Sequence, residues 1–211
     1  MQKKYIYMIL TMTDTFIARG IRFITGKPYS HSSLACDEDL TEMYSFCRDK
    51  KETPLPASFN HENINTQIFG LFDNVPCEIY RLEVTDEQHA KFIETMKHFI
   101  SNKDLYSYNL KGFFLMALHI PNSSRYKFVC SVWVAFVLGK TGIDHNFKKH
   151  LSLIEPEDLR NIEEAELFYK GNLKEYPEFL KNLKNKETDA DARKTISLIK
   201  NPHKIRNSVA L

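Results

Sequence analysis

Residues 128–138 read FVCSVWVAFVL, and the polar stretch PNSSRYK at 121–127 precedes them. Eleven nearly continuous apolar residues have the length of a buried helix and fall well short of the roughly 18 that a membrane span needs. The turn residues ahead of the run place its first turn near Cys130 and Ser131, and Gly139 or Gly142 is expected to end it. A thiol at that position faces unpaired helix amides and the positive end of the helix dipole, both of which favour the thiolate. Cys130 is therefore the candidate nucleophile.

Working back along the chain, a nucleophilic thiolate needs an imidazole to pair with it and a polar group to fix that ring. Residues 29–36, YSHSSLAC, and 40–47, LTEMYSFC, read as two short strands joined by a turn at Asp37, Glu38 and Asp39. They are expected to pair as a hairpin with His31 on the first strand and Glu42 on the second. The small residues Ser30, Ser32, Ser33 and Ala35 around His31 leave room for a helix to bring Cys130 against the ring. The amide of Cys130 would then help to bind an oxyanion.

The rest of the chain supplies strands and helices in mixed order. YIYMIL at 5–10 reads as a strand leading into a helix capped by Thr13 or Asp14, with Phe16, Ile17, Ile21 and Ile24 on one face. Residues 49–75 lose periodicity, carry Pro54 and Pro56, and read as a long loop or flap. CEIYRLEV at 77–84 is a strand, and Thr85 with Gln88 forms a capping box ahead of a helix burying Phe92, Ile93, Met96, Phe99 and Ile100. Residues 106–119 are expected to be helical, LFYKGNL at 167–173 to be a strand with a Gly-Asn turn, and 176–183 a short helix. The fold class is α+β, with one domain over 1–180 and a basic tail over 181–211.

Composition narrows the function. The 211 residues hold 29 Lys and Arg against 27 Asp and Glu, and 43% are hydrophobic, which excludes disordered and low-complexity classes. The tail carries eight of the basic residues and three acidic ones, yet it has no interleaved aromatics, so nucleic acid is disfavoured as a partner. No export signal is read at the amino end, and four dispersed cysteines suit free thiols in a reducing compartment, so a cytoplasmic protein is expected. A zinc site from His31, Cys36, Cys47 and His61 matches no knuckle or ribbon spacing. Phosphate-binding glycine loops and serine elbows are absent from the sequence, and no cofactor is expected.

The order of motifs, His-small-small on an early strand, a polar residue one strand later and Cys-Ser opening a late apolar helix, resembles the circularly permuted branch of the NlpC-type papain-like cysteine peptidase superfamily. That branch includes the YaeF/YiiX group and, more remotely, lecithin retinol acyltransferase. The resemblance spans residues 5–170 and implies a papain-like fold, with an antiparallel sheet packed on the helix that bears the cysteine. It implies Cys130 as nucleophile, His31 as general base and acid, and Glu42 as the residue orienting His31. The acyltransferase-like relatives usually carry a second His where this chain has Glu42. Cys47 is a second thiol near the site, open to oxidation or to a disulfide with Cys130.

The activity so implied is hydrolysis of an amide in a small peptide, a cell-wall-derived peptide or an amino-acid conjugate. Transfer or hydrolysis of lipid acyl groups is one alternative, and a scaffold without turnover is another. Tyr29, Tyr44, Phe46 and Tyr108, with Ser131, are the candidates to line the substrate pocket.

Overall fold

The computed structural model describes residues 3–13, 26–50, 53, 55–66, 68–186 and 188. The chain divides into two compact units, Met1–Lys174 and Glu175–Leu211. The second begins six residues before the boundary expected from the charge shift. Within it, residues 176–186 are helical, and the basic tail from 189 onward lies outside the described residues. So does the helix expected over Phe16 to Ile24.

The first unit is α+β, built on an eight-stranded sheet. Its strands are β1 (Lys4–Thr11), β2 (His31–Ala35), β3 (Met43–Arg48), β4 (Ala57–Glu62), β5 (Pro76–Val84), β6 (Ser107–Tyr108), β7 (Lys127–Phe128) and β8 (Ala165–Asn172). They lie in the order β7-β6-β4-β3-β2-β1-β5-β8, antiparallel throughout except for the parallel pair β6 and β7. The expected hairpin forms, with Leu34 opposite Tyr44 and Ala35 opposite Met43.

Two expectations are corrected. The region read as a structureless loop over 49–75 contains β4, which pairs with β3 along all six of its residues. Its sequence ASFNHE offers one large apolar side chain, Phe59, so its strand state comes from the backbone ladder with β3 and not from local pattern. The helix expected over 106–119 is shorter, α2 (Leu110–Ala117), because Ser107 and Tyr108 join the sheet first. Asn109 caps it by accepting from the amide of Gly112 at 2.9 Å.

The other helices follow their sequence signals. In α1 (Asp86–Ser101), Gln88 N donates to Thr85 Oγ1 at 3.1 Å and Thr85 N to Gln88 Oε1 at 3.0 Å, closing the capping box. Phe92, Met96 and Phe99 are buried, whereas Ile100 reaches the surface. Helix α3 (Cys130–Thr141) ends on Gly142, whose φ of 87° is the left-handed conformation that favours glycine at this position. Its residues Trp133, Val134, Ala135, Val137 and Leu138 are all fully buried, which explains why the run shows no polar face. Trp133 meets Phe59, Phe99 and Phe46 with ring centroids 5.3, 5.8 and 6.1 Å away. That aromatic cluster seats α3 against α1, β2 and β3, and so fixes where the first turn of α3 points.

Candidate active site

Cys130 is the first residue of α3, next to the small-residue strand β2. The helix has no side-chain cap at Val129, so its first amides remain free to meet a ligand. The thiol is buried in a cluster with Met116 and Val129, against which Tyr108 and Phe113 pack, and it interacts with the imidazole of His31. Burial alone would raise the thiol pKa. The hydrogen bond and positive charge of His31, with the amide of Ser32, outweigh burial and hold Cys130 below the ordinary thiol value.

On the other side of the ring, His31 Nε2 lies 2.9 Å from Glu62 Oε1, which leaves Nδ1 for the thiol. Burial disfavours the charged imidazole, but Glu62 and Cys130 together overcome it and raise the His31 pKa to about 10. Ser33 Oγ donates to Glu62 Oε2 at 2.5 Å and sits 3.3 Å from His31 Nε2. The Cys47 thiol also faces this carboxylate, and burial first, then Glu62, pushes its pKa well up. All four cysteines are free.

Glu42, expected to orient His31, is elsewhere. In a hairpin the start of the first strand meets the end of the second, and His31 starts β2 whereas Glu42 precedes β3. Glu42 accordingly lies at the turn, its carbonyl accepting from Cys36 N at 3.1 Å and its carboxylate accepting from Tyr44 OH at 2.5 Å. Glu62 enters the site because β3 pairs with both neighbours. Met43 stands opposite Ala35 on β2 and opposite Glu62 on β4, so by alternation Glu62 shares the sheet face of Ser33 and His31. The carboxylate is wholly buried although its stretch of sequence is polar, and only the pairing reveals this.

A narrow cleft open to solvent lies at Cys130. One wall is apolar, formed by Phe113, Met116 and Ala117 of α2 with Tyr108 and Val129; the other carries Lys27, Glu155 and Glu157. Lys27 Nζ and Glu155 Oε2 pair at 2.6 Å. Of the residues expected to bind substrate, Tyr29 and Tyr108 line this cavity. Burial and the nearby Cys130 charge raise the Tyr108 pKa well above its usual value, so its phenol stays protonated. Tyr44 and Phe46 belong to the core instead, Tyr44 stacked on Phe59 at 5.7 Å and Phe46 beneath Trp133. Ser131 borders the cavity, but its hydroxyl is spent on the carbonyl of Ile154 at 2.5 Å, which ties the start of α3 to the loop behind it.

Among the described residues, no three His, Cys, Asp or Glu side chains are grouped so as to hold a metal ion. No helix of the described residues is long and apolar enough to cross a membrane. No family model matches this chain, and no curated protein matches it.

Proposed function

We propose that this protein is a cysteine hydrolase of the circularly permuted papain-like type, acting on an amide or ester through Cys130, His31 and Glu62. The observation that carries this reading is the imidazole of His31 held between a buried thiol and a buried carboxylate. Buried ion pairs are poor devices for stability, because desolvation offsets most of their attraction. A depressed thiol pKa beside a raised imidazole pKa, at the wall of a cavity, is the arrangement that nucleophilic catalysis requires.

In this mechanism the Cys130 thiolate attacks the substrate carbonyl, forming a C–S bond while the carbonyl electrons move to oxygen. The Cys130 amide and the Tyr108 phenol are the donors available to that oxyanion. His31 passes its proton to the leaving nitrogen or oxygen as the bond to carbon breaks, leaving a thioester. Neutral His31 then takes a proton from water, which attacks the thioester and releases the acid and the thiolate. Glu62 accepts from Nε2 throughout, keeping Nδ1 turned to sulfur.

The apolar wall supports an apolar acyl group, and the wall of Lys27, Glu155 and Glu157 supports a polar leaving group such as an amino-acid amine. The experiment is the pH dependence of Cys130 alkylation, followed by peptide mass spectrometry in the wild type and in His31→Ala. A thiol titrating below about 8.5 that returns toward that value without His31 sustains the proposal. Identical profiles in the two proteins would reject it in favour of a binding protein that keeps the shell without turnover.

A further inference from the structure

Large apolar side chains at the surface are concentrated in one stretch. Of the ten such residues exposed among those described, six lie between 105 and 126: Leu105, Leu110, Phe114, Leu118, Ile120 and Tyr126. Leu110, Phe114 and Leu118 are spaced at i, i+4 and i+8, which stacks them on one side of α2 and its C-terminal turn. Phe114 is 59% exposed and Leu118 67% exposed. The adjoining side of the same helix, with Phe113, Met116 and Ala117, lines the Cys130 cavity. A helix whose apolar arc is this wide belongs in a core or at a lipid boundary, and only part of the arc of α2 is buried.

Charge selects the occupant. Residues 103–127 carry Lys103, Lys111, Arg125 and Lys127 against the single acid Asp104, and all four cations are exposed. None of them pairs with a carboxylate among the described residues. A second copy of this chain docking face to face would oppose the same cations, which costs free energy. An anionic lipid surface instead takes the apolar side chains at the acyl boundary and the Lys and Arg side chains at the headgroups.

We propose that the outer face of α2 docks on an anionic membrane surface, with Leu110, Phe114, Leu118 and Ile120 inserted at the interface and the exposed cations of the same segment on the headgroups. The Cys130 cavity then faces the lipid layer through the same helix. The proposal stands on the surface alone and goes beyond the reading of Cys130 as a nucleophile.

The test is co-sedimentation of the full chain with vesicles of phosphatidylglycerol and phosphatidylcholine, against phosphatidylcholine alone, at low and high salt. Binding is expected to the anionic vesicles, to weaken with salt, and to fall about tenfold or more in Phe114→Ser/Leu118→Ser, since each substitution removes apolar area from the interface. Both positions are exposed, so the double variant is expected to keep the wild-type melting temperature, and Cys130→Ala is expected to bind like the wild type. Absence of binding overturns the proposal, as does binding unchanged in the double variant, which would assign it to the basic tail. A wild-type dimer in solution that the double variant abolishes would assign the face to a second copy and overturn it equally.

Discussion

Two carboxylates are buried in the sheet of this protein, and they differ in what holds them. Glu78, 1% exposed, forms ion pairs with Arg160 Nε at 2.9 Å and Lys170 Nζ at 3.0 Å and accepts from Tyr80 OH at 2.7 Å. Glu62, 0% exposed, meets an imidazole, a hydroxyl and a thiol. Arg160 keeps its charge at any ordinary pH, its pKa raised by Tyr80 and Glu157, so Glu78 is a fixed counter-ion. The partners of Glu62 are neutral or titrating groups, and its one cation, His31, is itself coupled to Cys130. The first arrangement holds a sheet edge together; the second can move a proton. Burial of a carboxylate is therefore not itself the mark of a site, and the proton mobility of its partners separates the two.

The sharpest way to break this contrast is to remove the proton carrier. His31→Ala is expected to slow Cys130 alkylation at neutral pH by about 30-fold or more, because a thiol returned to a pKa of about 8.5 is only a few per cent ionised there. The pH–rate profile would show the acidic limb moving upward. Glu62→Gln leaves the thiol and ring in place but withdraws the charge opposite Nε2, so the His31 transition is expected to fall from about 10 by about 1–3 pH units. NMR titration of the imidazole measures it. Glu78→Gln is expected to change neither profile, and a shift equal to that of Glu62→Gln would erase the distinction.

Stability sharpens the same comparison through its pH dependence. Burial opposes ionisation of Glu78, but Tyr80, Lys170 and Tyr29 outweigh it and hold its pKa below 4.5. A depressed carboxyl pKa means that its contribution is present above the unfolded value and is lost as pH falls through the folded one. His31 has the opposite sign. Its contribution is complete below about 6.5 and is lost as pH rises through about 10. Thermal melts across pH are thus expected to lose acid sensitivity in Glu78→Gln and alkaline sensitivity in His31→Ala. Ser33→Ala removes one donor from Glu62 and is expected to cost about 1–3 kcal/mol in denaturant unfolding. Glu42→Gln, at the exposed turn, is expected to stay within about 0.5 kcal/mol and to leave alkylation unchanged.

The sequence made legible whatever depends on neighbouring residues. The Thr85–Gln88 box marks the start of α1, and the runs YIYMIL and CEIYRLEV mark β1 and β5, because caps and apolar patterns act over a few residues. Cys130 at a helix start and His31 among small side chains were legible for the same reason. Glu62 was not, since it lies in a polar strand between two prolines and a run of asparagines, and reaches His31 only through the register of β3 with both its neighbours. Glu42 drew attention by sequence proximity, which an antiparallel turn reverses in space. The sequence marks 106–119 only as helical, and only the packing shows that Leu110, Phe114 and Leu118 face outward.

The three groups around the His31 ring come from β2, β4 and α3, separated by about a hundred residues of chain, and β4 is joined to β2 through β3. No fragment ending before residue 130 contains the thiol, and no partly formed sheet lacking β4 contains its electrostatic support. Pairings of this range form late in folding, because loop closure must precede them. The groups that lower the pKa of the Cys130 thiol are thus gathered only in the finished fold.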